Sequence, residues 1–305
     1  MKTFLIILLA IVAILAVLIY IGAGYFARST ALPKGMTLEQ EKAWEVEHGL
    51  WGDYDSYDTE DYTVEGKDGY LLHCTFIKAD EESKKYMILS HGFTSNRYGS
   101  VKYLSCYRSL GFNCVIYDVR GHGENQKTPV SLGQFESEDL LKLIDDTYDR
   151  YGADILLGLH GESMGSSISL SVLKYRPDVK FVVADCGFSN LYDLMDSTYK
   201  NFHVSWLTPL VNSVMKSRYG YDMKLTSAVD ALRENDVPVC FIHGANDSFI
   251  KPSNSQVMKE AQKGYSEIHL IDGAEHAQSR EIAGEEAYKA IIEGFLGEIG
   301  FPDSI

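Results

Sequence analysis

Six short apolar runs constrain this chain more than any other feature: KYMILSHG, FNCVIYDVRG, DILLGLHG, KFVVADCG, PVCFIHG and EIHLIDGA, spread from Lys85 to Ala274. Each is too short for a typical helix, too continuously apolar for a strand with one wet face, and ends in turn residues. Each therefore reads as a strand buried on both sides. Helical patterns lie between most of them, such as SEDLLKLIDDTYDRYG and SSISLSVLKYR, the latter stopped by Pro177. Strands alternating with helices demand a mainly parallel sheet with helices on both faces. Upstream, EDYTVEGKDGYLLHCTFIKA (Glu60 to Ala79) alternates polar and apolar residues around Lys67-Asp68-Gly69, a β-hairpin signal. The hairpin brings the expected sheet to eight strands.

The N-terminus is different in kind. Thr3 to Ala27 contains no charged residue, and roughly 25 residues at a helical rise of 1.5 Å cover about 37 Å, more than a hydrocarbon core of about 30 Å. A secretory signal carries an apolar region of only about 7–15 residues, so residues 1–30 read as an uncleaved membrane anchor. Residues 31–53, with the charged segment LEQEKAWEVEHGL, read as a stalk or linker helix, and residues 54–305 as the folded domain. Lys2 on one flank faces Arg28 and Lys34 on the other. The short leading tail makes an N-inside, single-pass arrangement in the cell membrane the simpler one, with the domain outside the cytoplasm.

Charge and cysteines narrow the partners. A net charge of −15 with no Lys/Arg cluster argues against nucleic acid. Five cysteines cannot all pair, and Cys114, Cys186 and Cys240 sit in apolar runs, as reduced core cysteines do. The chain carries no dinucleotide fingerprint, phosphate loop or metal-ligand spacing, so neither cofactor nor metal is expected.

Chemistry enters at LLGLHGESMGSSIS, Leu156 to Ser169. Gly161-Glu162-Ser163-Met164-Gly165 fits G-x-S-x-G, in which a serine sits on a strained turn between strand and helix. A serine alone is inert at neutral pH and needs a base, itself oriented by an acid. After PVCFIHG comes Asp247, and after EIHLIDG comes His276, both at the carboxyl ends of strands where such sheets place their sites. Asp185, ending KFVVAD, is the alternative acid. At His91-Gly92-Phe93 the backbone N–H of Phe93 can pair with that of Met164 to hold a developing oxyanion. His91, His122 and His160 read as supports of their turns, Glu162 as solvated, and His73, His203 and His269 as ordinary pattern residues.

The set HGF, DVRGHG, GESMG, HGANDSFIKP and GAEHAQS resembles the α/β-hydrolase superfamily, and is similar in particular to the membrane-anchored Bem46-like and serine-aminopeptidase-S33-like hydrolases. The resemblance runs from about Tyr54 to Gly297. It implies a serine hydrolase with Ser163 as nucleophile, His276 as general base, Asp247 as acid, and Phe93 and Met164 as oxyanion donors. Glu124, where relatives often carry serine, departs from the pattern and alters the site margin. Phe188 to Val237 (residues 188–237) lies where this fold inserts a helical cap, with Trp206 an expected wall of an acyl pocket.

The expected activity is cleavage of a carboxylic ester or related acyl bond of a small-molecule substrate through an acyl-enzyme. A peptidase or amidase on the same triad, and a non-catalytic binding module of the same fold, are the alternatives. The expected partners are the acyl substrate and a bilayer holding the N-terminal helix, and not nucleic acid. The anchor itself is expected to be an address alone, so that a chain starting near Leu32 folds as a soluble enzyme.

Overall fold

Alternating side chains make β1 (Thr59–Glu65) and β2 (Leu71–Ile77) an antiparallel hairpin, closed by Asp68 and Gly69 at φ 55° and 75°. The computed structural model describes residues 1–175 and 178–302; the expected stop at Pro177 lies outside them. The six apolar runs become β3 (Lys85–Ser90), β4 (Asn113–Tyr117), β5 (Leu156–Glu162), β6 (Phe181–Asp185), β7 (Val239–Gly244) and β8 (Ser266–Ile271). Strand order is β1-β2-β4-β3-β5-β6-β7-β8. β2 pairs antiparallel with β4, and all later pairings are parallel. β3, β4, β6 and β7 are buried at every residue, which is why they lack alternation. β8, at the edge, is only half-buried.

The helices are α1 (Lys2–Ala31), α2 (Leu38–Glu47), α3 (Leu104–Ser109), α4 (Gln134–Tyr151) and α5 (Met164–Ser171), then α6 (Leu191–Asn201), α7 (Thr208–Val214) and α8 (Ala228–Leu232) between β6 and β7. After β7 comes α9 (Ser253–Ala261), and after β8 come α10 (Ser279–Ala283) and α11 (Glu285–Glu298). Two apolar clusters cover the two faces of the sheet. One joins α4, α5 and the excursion between β6 and β7; the other joins α3 and α11. All five cysteines are buried and unpaired.

α1 is one unbroken helix, long and apolar enough to cross a membrane. Its first twenty-odd residues touch almost nothing. The last turns differ: Ala23, Ala27 and Ala31, four residues apart on one face, are fully buried and lie against α7. The Phe26 ring sits 5.0 Å from that of Tyr199 on α6, and the Ala31 carbonyl accepts from Val130 N–H at 2.8 Å. The end of the apolar helix is thus built into the domain, contrary to its expected role as an address alone. α2 opens with a capping box between Thr37 and Gln40 and buries Glu41 and Glu45 against the turn at residues 97–103.

Candidate active site

The turn at Ser163 is set by two glycines and by strand pairing. A Cβ at Gly161 would stand 2.2 Å from the Gly165 carbonyl oxygen, and one at Gly165 would stand 2.0 Å from the Ser90 carbonyl oxygen. Only glycine allows β5, α5 and β3 to approach so closely. Ser163 adopts φ 56°, ψ −115°, a conformation costly for a residue with a side chain, and its N–H is tied to the Asp185 carbonyl at 2.8 Å. The turn lifts the hydroxyl off the carboxyl end of the sheet.

Ser163 Oγ lies 2.9 Å from His276 Nε2, and His276 Nδ1 lies 2.7 Å from Asp247 Oδ2. The three come from the ends of β5, β8 and β7, and one continuous line of hydrogen bonds joins them. Asp247 is buried; its Oδ1 accepts from the N–H groups of Phe249 and Ile250 at 2.9 and 2.8 Å. Burial alone would raise its pKa. Hydrogen bonds from His243 and His276 and from the backbone outweigh it and hold the carboxyl well below the usual carboxylate range. His243 was not singled out by sequence reasoning: its Nε2 reaches the Ile250 carbonyl at 2.7 Å and Asp247 Oδ2 at 3.3 Å, while Nδ1 meets Ser255 Oγ at 2.7 Å.

Asp185 faces elsewhere. Its carboxylate accepts from Ser279 Oγ at 2.8 Å and Tyr288 OH at 2.9 Å, and burial with the nearby Glu162 charge raises its pKa to about 6. Glu162 is not solvated as expected. It is buried, ion-paired to Lys102 at 2.6 Å and hydrogen-bonded by Tyr103. His91 and His122 serve loops: His91 Nε2 accepts from Val119 N–H at 2.9 Å, and His122 Nε2 accepts from Thr94 N–H at 3.2 Å. His160 pairs with Tyr107 OH at 2.8 Å. Glu124 joins Asp118 on the Arg97 guanidinium, both at 2.6 Å.

The turn after β3 abuts Ser163, since a Cβ on Gly92 would lie 3.6 Å from the Ser163 Cβ. Phe93 follows it. Met164 is the first residue of α5, so its N–H is among those that a helix start leaves without an intrahelical partner.

Two cavities flank the serine and histidine. An apolar one of about 280 Å3 reaches Ser163 and is walled by Phe26, Phe93, Met164, Met195 and Tyr199. A polar one of about 470 Å3 reaches His276 and is walled by Glu41, Glu45, Lys102 and Glu162. Trp206, the expected wall, is largely exposed and lies outside both. Phe26 from α1 takes part instead, and no periodicity within the excursion points to it.

A family model described as alpha/beta hydrolase fold matches residues 85–221. The chain is similar to the uncharacterised protein YqkD of Bacillus subtilis, with 27% identity over 95% of this chain and 96% of the relative. Among solved structures it is similar to the Pyrococcus furiosus esterase Pf2001, at TM-score 0.64 and 22% identity over 81% of this chain and 96% of that one. It is also similar to the acylaminoacyl peptidase of Pyrococcus horikoshii, at TM-score 0.61 and 14% identity over 79% of this chain and 41% of that one. Sheet order, the turn at Ser163 and these likenesses together give the chain the α/β-hydrolase fold.

Proposed function

We propose that the protein is a serine hydrolase that cleaves carboxylic esters through an acyl-enzyme, held at a membrane by α1. The reading takes residues 1–30 as the anchor, 31–53 as its link, 54–305 as the hydrolase domain and 188–237 as its cap, in the manner of the Bem46-like hydrolases. Ser163 is the nucleophile, His276 the general base, Asp247 the acid that orients it, and Phe93 and Met164 the oxyanion donors. The observation that carries this reading is the line from Ser163 Oγ to His276 Nε2 at 2.9 Å and from His276 Nδ1 to Asp247 Oδ2 at 2.7 Å.

His276 takes the Ser163 proton as Oγ attacks the acyl carbon, and the two backbone N–H groups hold the negative oxygen. The imidazolium then protonates the departing alcohol oxygen, and water, activated by the same histidine, releases the acid. The cavities support an ester in particular. The apolar one touches Ser163, where the acyl group is held; the polar one touches His276, where the alcohol leaves. Labelling of the full-length protein by a fluorophosphonate, lost in Ser163→Ala, together with turnover of p-nitrophenyl esters, tests the proposal. Failure to label Ser163 would refute it, and turnover of aminoacyl amides in preference to esters would move the activity to the peptidase class.

A further inference from the structure

The apolar cavity beside Ser163 is not closed by the domain alone. Phe26, Ser29 and Thr30, all from the last turns of α1, form one of its sides. Phe26 packs on Tyr199, and Ala23 and Ala27 press the helix against α7, so this wall is fixed by packing rather than resting loosely over the opening.

The same helix shows where the cavity stands. The Arg218 guanidinium lies 5.4 Å from the Tyr20 ring centre and its Nη2 donates to Tyr20 OH at 3.3 Å, so the excursion meets α1 at that level. Tyrosine and arginine are residues of the membrane–water boundary. Phe26 is six residues further on, about 9 Å along the axis, against a headgroup layer of about 5–8 Å on each side of the hydrocarbon. Large apolar side chains are exposed beside Phe26: Tyr25, its neighbour in the chain, at 69%, and Phe202, on the same cavity, at 68%. Arg218 is the cation that the excursion sets at the level of Tyr20; Lys216 near it in sequence is ion-paired to Asp222 at 2.9 Å. Aromatic side chains beside an arginine suit the membrane–water boundary.

We infer that the acyl chain is drawn from the bilayer that α1 spans, with α1 itself as one wall of the acyl pocket, and that the substrate is a neutral long-chain ester of that bilayer. The inference rests on the acyl-hydrolase reading and on α1 crossing the membrane. The polar cavity identifies the other half of the molecule. Burial raises Glu41 to about 7 and Glu45 to about 8, so near neutral pH both hold protons readily and offer a donor as well as an acceptor to hydroxyl groups. Lys102, the one lysine or arginine on this cavity, is already held by Glu162 at 2.6 Å, so a phosphate would find no unpaired basic side chain of that kind among the lining residues. An uncharged polyol head with its acyl chain towards α1 fits both cavities. Water adds across the acyl C–O bond, and the products are a fatty acid and the free polyol.

The test uses the full-length protein in phospholipid vesicles containing anionic lipid, with glycerol monoesters of short, medium and long chain as probes. Long-chain ester in the same vesicles should be cleaved at least about tenfold faster than the same ester supplied in separate vesicles; equal rates would overturn lateral supply. Phe26→Trp should lower kcat/KM for long relative to short esters by about tenfold or more, since a single methylene in an apolar pocket is worth about that much. An unchanged ratio, in a variant that still labels with fluorophosphonate, would overturn α1 as a wall. If Phe26→Trp fails to fold, the vesicle comparison on the unaltered protein still decides. Soluble p-nitrophenyl acetate separates the two readings: no turnover of it sinks the acyl-hydrolase reading, whereas turnover with no effect of presentation or of Phe26 sinks only this inference.

Discussion

Three side chains from three strand ends share two protons at the candidate site, and their substitutions should behave as one unit. Ser163→Ala and His276→Ala are each expected to lower kcat by several orders of magnitude, and the double variant to lose little more. Additive losses in steady-state ester hydrolysis would break the assignment. Asp247→Asn should cost about 10⁴ in kcat, whereas Asp185→Asn, whose side chain binds Ser279 and Tyr288, should leave turnover far closer to normal while lowering stability. Comparing kcat and Tm for the two variants separates the roles. The candidate trio Ser163, Asp247 and His276 could be picked out of the sequence because each lies within a few residues of the end of an apolar run, and a run's end locates the sheet's edge. Glu162 was misread because its partners, Lys102 and Tyr103, lie some sixty residues earlier, where a linear pattern carries no sign of them.

Helices show the same contrast between local and distant information. β3, β4, β6 and β7 stood out because burial on both faces leaves a continuous apolar run, and β1 and β2 because their alternation marks a hairpin. The contact between α1 and α7 did not, because an all-apolar segment reads alike whether lipid or protein covers it. The only hint was the four-residue spacing of Ala23, Ala27 and Ala31. Ala27→Leu should wedge the two helices apart at a cost of about 1–3 kcal/mol, visible as a lower Tm in nanodiscs; no change in Tm would mean that the alanine face is not tightly packed. α2 gives a pH-dependent prediction. In the folded chain burial raises Glu41 from 4.5 to about 7 and Glu45 from 4.5 to about 8, so both keep protons that the unfolded chain releases. Their contribution to stability is complete below about pH 4.5, falls as pH rises through 7 and 8, and is then exhausted. Glu45→Gln should therefore match the parent protein in acid and surpass it in Tm above pH 8; a constant difference across pH would show that burial does not raise this carboxyl.

For the molecule as a whole, removal of residues 1–31 is the decisive perturbation. A chain beginning at Leu32 uncovers Tyr199, Val211 and Val214, which pack in the same apolar cluster as Ala23, Ala27 and Ala31, and opens one side of the cavity at Ser163. Such a chain should aggregate without detergent and lose preference for long acyl groups, as light scattering and an ester series would report. A monodisperse truncated protein with unchanged chain-length preference would restore α1 to the role of a plain address.

The unbroken course of α1 from Lys2 to Ala31 has one more consequence. A flexible tether would let the domain ride at any height above its membrane; a mast stepped into the hull does not. When a bilayer is thicker or thinner than the span it holds, the helix tilts or the lipid deforms around it, and Phe26 moves with the helix. Membrane thickness thereby becomes a mechanical input to the geometry of the pocket beside Ser163.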